Sequence, residues 1–244
     1  MKKKLVRITI ICAVVICVIA AAFILYVSDY YHATDKDAAL ADTELVRVSK
    51  TEFGYFFDGP GEDSAVIFYP GAKVEDLAYA DLLKRVAAGG ADCFLVHMPC
   101  NLAFFGMNRA NDIIEDHDYA HWYLAGHSLG GAMAASCSAK NGDKLDGLLL
   151  LAAYSTSDLS ELKMKTLSIY GSEDRVVNKA KIEEGRELMP SDYEEFVIDG
   201  GNHAGFGDYG EQRGDGEALI SGDEQKAITA EKILECIKND LDNS

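Results

Sequence analysis

The chain has 244 residues, 23 Lys and Arg against 40 Asp and Glu, and a formal net charge of −17. That length suits one folded domain with its own core, and so acidic a surface excludes nucleic acid as a partner. No Cys-x-x-Cys, His-Glu-x-x-His or other ligand cluster is present, so the sequence asks for no metal and no cofactor.

The N-terminus opens with Met-Lys-Lys-Lys, and residues 8–27 then run without a charge, Pro or Gly. This is about the 20 residues needed to cross a bilayer. A cleavable signal peptide has a shorter apolar stretch of about 7 to 15 residues followed by a small-x-small site, whereas this run ends in Leu25-Tyr26-Val27. An uncleaved anchor is the expectation, with processing near Tyr31-His32-Ala33 as the alternative. Lys2, Lys3, Lys4 and Arg7 precede the span and every acidic residue follows it, so the N-terminus stays cytoplasmic. The expected product is a single-pass protein of the cell membrane whose domain faces outward and carries a formal charge of about −21 once those four basic residues are set aside. Residues 1–27 are read as basic tip and signal anchor, 28–44 as a polar tether without apolar periodicity, and 45–244 as the folded domain.

Within that domain, Leu45 to Ser49 and Phe53 to Phe57 predict an antiparallel hairpin closed by Asp58-Gly59-Pro60-Gly61. The apolar run Ala65 to Tyr69 predicts a buried strand, Val74 to Ala88 a helix and Ala91 to His97 another strand. The alternation continues through a helix near Met107 to Asp118, a strand at Trp122 to Ala125 and a helix at Leu129 to Lys140. Strands follow at Leu148 to Ala153, Thr166 to Tyr170 and Tyr193 to Ile198, with helices at Asn178 to Leu188 and Glu224 to Lys238. Repeated βα units predict an α/β fold: a mostly parallel sheet with helices on both faces and the site at the C-terminal strand ends. The short stretch between Ala153 and Thr166 leaves no room for a cap domain, so a relatively open site is expected. Cys93, Cys100, Cys137 and Cys236 are expected as free buried thiols. A Cys93–Cys100 disulfide is doubtful on geometry, with one residue on a strand and the other in the loop after it.

Gly126-His127-Ser128-Leu129-Gly130-Gly131 carries the G-x-S-x-G pattern of a nucleophile elbow. A serine on a sharp strand-to-helix turn has strained backbone angles, and side chains two residues before or after it would collide with the turn. Its hydroxyl needs a histidine to take its proton and an acid to orient that histidine. Of the six histidines, His32 lies in the tether, His117 and His121 precede the elbow strand, and His127 is expected to point away from the serine. His97 ends a strand but comes before the serine, which leaves His203 in the glycine-rich loop after the last strand. Asp174, in Gly171-Ser172-Glu173-Asp174, is the candidate acid, with Glu173, Asp158 and Asp208 as rivals. Oxyanion donors are expected from the N–H groups of Leu129 and of Ala72, with Gly71 as the alternative to Ala72 and Lys73 as a neighbouring charge. The acidic loop from Asp208 to Asp223 lacks EF-hand spacing and is expected as a pocket rim.

With these residues in place, Ala65 to Lys238 resembles the α/β-hydrolase superfamily, and within it the small uncapped group often called hydrolase family 5, near the dienelactone hydrolases. Tyr69-Pro70-Gly71-Ala72, the elbow, Gly171-Ser172-Glu173-Asp174 and Gly201-Asn202-His203 carry the likeness in the right order. Met98-Pro99-Cys100-Asn101-Leu102-Ala103 and Gly207-Asp208-Tyr209-Gly210 also look like that group. The resemblance implies Ser128 as nucleophile, His203 as base and Asp174 as orienting acid. The dienelactone hydrolases carry cysteine at the nucleophile position, so their substrate does not transfer. The expected activity is hydrolysis of a small-molecule carboxylic ester. Acyl transfer or peptide hydrolysis by the same triad, or binding without turnover on the same fold, are the alternatives. The oligomeric state is not legible.

Overall fold

A computed structural model describes residues 2–242 and divides the chain into two compact units, 1–30 and 31–244. The first is α1 (Lys2–Ser28), a helix whose apolar stretch is long enough to cross a membrane, with mean hydropathy 3.2.

The second unit is built on one eight-stranded sheet. After the short helix α2 (Lys36–Leu40), β1 (Arg47–Lys50) and β2 (Gly54–Asp58) form the antiparallel hairpin. Then come β3 (Ser64–Tyr69), α3 (Ala80–Ala88), β4 (Asp92–Val96), α4 (Arg109–Asp116), β5 (His121–His127) and α5 (Leu129–Asn141). The chain ends with β6 (Gly147–Leu151), β7 (Lys165–Gly171), α6 (Lys179–Gly185), β8 (Tyr193–Ile198) and α7 (Gly222–Leu241). The order across the sheet is β1-β2-β4-β3-β5-β6-β7-β8, antiparallel in its first two pairings and parallel in the rest.

The strands read as unbroken apolar runs because both faces are covered. Val66 and Phe68 face the core shared with Leu82, Val86 and Ile233, whereas Ala65, Ile67 and Tyr69 face the one shared with Ile113, Ala134 and Cys137. Leu148, Leu149, Leu150 and Leu151 are all buried, each contributing about 2 kcal/mol. Residues 152–164 join β6 to β7 directly, so no cap domain interrupts the fold.

Two expectations change. The helix predicted from Val74 begins as a 3-10 turn, Asp76–Tyr79, and becomes α-helical only at Ala80. The segment read as a tether is docked from Tyr31 onward: Tyr31 bridges Val74 in parallel, Ala39 is buried, and Lys84 Nζ donates to the carbonyls of Ala38 at 2.6 Å and Ala41 at 2.7 Å. Main-chain groups and charged side chains make most of these contacts, and Tyr31, Ala33 and Ala39 alone pack against the core, too few to form an apolar period in the sequence. All six cysteines are free, Cys93, Cys137 and Cys236 buried and Cys100 exposed; burial pushes the Cys236 thiol up to about 12.

Candidate active site

The candidate residues lie past the C-terminal ends of β3, β5, β7 and β8, and Asp174 and His203 are joined directly. Ser128 sits between β5 and α5 at φ 53° and ψ −122°, a conformation costly for any residue with a Cβ, and its N–H donates to Leu151 O at 2.9 Å. The glycines around it are sterically required. A Cβ on Gly126 would lie 2.5 Å from the Gly130 carbonyl carbon, and one on Gly130 would run into the carbonyls of Tyr69 and Pro70. The second glycine therefore lets the oxyanion loop close onto the elbow.

His203 Nδ1 donates to Asp174 Oδ2 at 2.8 Å, and both side chains are almost wholly buried, at 1% and 0% exposure. The other oxygen of Asp174 accepts the N–H groups of Val176 and Val177, each at 2.8 Å, so the turn after β7 fixes the carboxylate. Nε2 of His203 is buried and has no partner among the described residues. An imidazole held at one nitrogen by a carboxylate, with the other left unbonded, is poised to exchange a proton with a third group.

The rival acids are engaged elsewhere. Glu173 accepts the Ser172 hydroxyl at 3.1 Å, exposed Asp158 is bonded to Ser160, and Asp208 receives Lys226 Nζ at 2.6 Å. Among the rival histidines, exposed His97 pairs with Asp76 at 2.9 Å, while His117 and His121 bond to Ile113 O and Asp146 at the other end of the sheet. His32 lies beside Glu75.

His127 faces the loop that carries His203. Its ring is buried and centred 4.5 Å from that of His203, so the elbow meets the histidine loop here. Gly71 N–H donates to the Tyr79 hydroxyl at 3.1 Å, which in turn lies 2.8 Å from His127 Nδ1. The Tyr79 hydroxyl, which accepts from Gly71, has its own proton left to give to Nδ1, and in that tautomer the proton of His127 is on Nε2. Burial, reinforced by the neighbouring His203 and opposed by the His203 main chain, holds His127 well below the usual histidine range. It therefore stays neutral beside His203.

The same network separates the two oxyanion candidates. Gly71 N–H is taken by Tyr79, whereas Ala72 N–H and Leu129 N–H have no acceptor among the described residues. Lys73 adopts φ 58° and its N–H donates to Asn101 O at 2.7 Å, linking this loop to the one after β4.

Sequence reading missed the supports of the histidine loop. Asp215 accepts the Ala204 N–H at 2.8 Å and the Gly216 N–H at 2.8 Å. Buried Gln225 on α7 exchanges bonds with the Asn202 main chain at 3.0 and 2.8 Å. An uncharged polar residue on the buried face of α7 was the available signal for Gln225. The acidic loop thus braces the histidine from behind, although a pocket rim was expected there, and Asp223 pairs with Arg85. Asp174 and His203 are buried by the fold's own loops, while Ser128 is half-buried.

Residues 65–227 match the model of the alpha/beta hydrolase family. Among solved structures, the chain is similar to a predicted CIB-like hydrolase from Thermoplasma acidophilum. The TM-score is 0.60 at 16% identity, covering 78% of this chain and 99% of that one, a likeness of fold. No curated protein matches the sequence.

Proposed function

The chain belongs to the alpha/beta hydrolase family, and from that premise we propose that it is a serine hydrolase acting on carboxylic esters through an acyl-enzyme. The observation that carries the reading is the buried His203–Asp174 bond of 2.8 Å with His203 Nε2 left unbonded, in a molecule whose elbow serine is strained. Ser128 Oγ attacks the ester carbonyl as its proton passes to His203 Nε2, and Asp174 stabilises the imidazolium through Nδ1–H. The N–H groups of Leu129 and Ala72 receive the developing oxyanion. The tetrahedral adduct collapses, the C–O bond to the alcohol breaks, and His203 returns its proton to the departing alkoxide. Water then repeats the sequence on the acyl-serine, releasing the acid and restoring Ser128.

The substrate proposed is a small ester with an apolar part. Phe104 and Phe105 are about half exposed, their rings 4.1 Å apart and tilted by 41°, on the loop after β4 that is bonded to the oxyanion loop. They offer an uncharged apolar surface on that loop. The span over residues 8–27 is proposed to remain attached, holding the hydrolase at the outer face of the cell membrane; the length and hydropathy of α1 support this.

The test is turnover of a p-nitrophenyl ester series of increasing acyl length by the full chain in detergent micelles. Ser128→Ala is expected to abolish release above the uncatalysed rate. Undiminished turnover in that variant would overturn the reading, and products formed with alcohol or amine in place of water would reassign it to acyl transfer.

A further inference from the structure

The oxyanion loop follows β3 and the histidine loop follows β8, and three strands of the sheet lie between them. Tyr31, the first residue of the folded unit, touches both. Its N–H donates to Lys73 O at 2.7 Å and its carbonyl accepts the Glu75 N–H at 2.9 Å, extending the oxyanion loop as a short parallel bridge. Its phenol oxygen accepts the Arg213 N–H at 3.0 Å, and its ring lies 5.6 Å from Tyr209 in the histidine loop.

The neighbouring residues repeat the pattern. Ala33 N–H donates to the Glu75 carboxylate at 3.0 Å, Lys36 pairs with the same carboxylate at 2.5 Å, and Thr34 N–H donates to Asp208 O at 2.9 Å. Burial opposes ionisation of Glu75, but the bonds from Lys36 and Ala33 outweigh it and hold the carboxyl below its usual range. Tyr209 passes the contact inward. Its ring lies 6.3 Å from that of Tyr79, whose hydroxyl holds Gly71 N–H and His127. A continuous set of contacts thus runs from the segment just after the apolar helix to the peptide beside the proposed oxyanion donor and to the ring against His203.

We infer that Tyr31 is a positioning residue of this hydrolase: the strap of residues 31–36 holds the oxyanion and histidine loops in register, and turnover depends on its docking. The inference rests on the serine-hydrolase reading for its effect on rate, while the hold on the two loops is independent of it. A loop displaced by about 1 Å can cost on the order of 100-fold in rate, and losing an interaction made only in the transition state lowers kcat while leaving KM little changed. Cleavage after Ala33, the alternative processing point, would detach Tyr31 from the domain.

The experiment uses the full chain in detergent micelles with Tyr31→Ala and Tyr31→Phe. Tyr31→Ala is expected to lower kcat by about 10-fold or more with KM changed less than about threefold, and Tyr31→Phe, which keeps the ring against Tyr209, to recover most of it. Amide exchange in Tyr31→Ala is expected to rise in both 71–76 and 203–213 and to stay unchanged in β6. Wild-type kcat in Tyr31→Ala, or faster exchange in one loop alone or in neither, overturns the inference. A wild-type chain without ester turnover overturns the serine-hydrolase reading instead, and the exchange data then decide the strap by themselves.

Discussion

Past the C-terminal ends of β3, β4, β5 and β6 the chain turns through Lys73, Cys100, Asn101, Ser128 and Ala152, the non-glycine residues of positive φ among those described. At the N-terminal ends of the parallel strands the backbone is unstrained and side chains pair. Asp92 receives the Tyr119 hydroxyl at 2.6 Å and the Gly59 N–H at 2.8 Å, Asp146 holds the Trp122 N–H at 2.8 Å, and Lys165 bridges Asp192 and Glu194 at 3.1 and 2.8 Å. Each left-handed residue costs roughly 1 to 2 kcal/mol, and that cost is gathered at the end of the sheet where the loops meet. One end of the fold is optimised for stability, and the other is held in a conformation that only the rest of the fold sustains.

Substitutions at the two ends should separate these roles. The largest effect is expected from His203→Ala, with kcat for ester turnover lowered by on the order of 10³-fold or more. A near-normal kcat would move the base elsewhere. An intermediate and pH-dependent effect is expected at His127. Its folded pKa is depressed, so its contribution to stability is present above the unfolded value of about 6.5 and is lost as pH falls below it. Thermal unfolding followed from pH 7.5 to pH 5 should show a loss in the wild type that His127→Gln reduces; equal slopes in the two proteins would mean that His127 titrates alike folded and unfolded. The smallest effect is expected at the opposite end. Lys165 is buried, but Asp192 and Glu194 are exposed and stay hydrated without it, so Lys165→Met should change stability by about 1 to 2 kcal/mol and leave kcat untouched. A loss of activity there would break the division between the two ends.

The sequence makes one class of feature legible and hides another. Buried parallel strands have no wet face, so Ala65 to Tyr69 and Leu148 to Leu151 stand out as apolar runs. The elbow stands out because its glycines answer to steric demands that no other residue meets. Asp174 and His203 can be placed because each directly follows a strand. Hidden are the contacts whose partners are main-chain atoms or distant side chains. Tyr31 sits among polar residues and reads as part of a tether, yet its partners are the peptides of Lys73, Glu75 and Arg213. Tyr79 looks like one more core aromatic, although its hydroxyl decides which N–H the oxyanion loop leaves unbonded. Gln225 lies on a helix about twenty residues beyond the histidine it supports, and only the folded chain joins them. His127 looks confined by the turn, whereas the closing of the histidine loop sets its ring beside His203.

The central claim is that Ser128 is the nucleophile activated by His203 and Asp174. Its most direct measurement is covalent labelling of the full chain with a fluorophosphonate, read by peptide mass. One adduct per chain is expected on the peptide containing Ser128, formed at least about 10³-fold more slowly in His203→Ala and absent in Ser128→Ala. Labelling that survives Ser128→Ala, or that proceeds at the wild-type rate without His203, would contradict it.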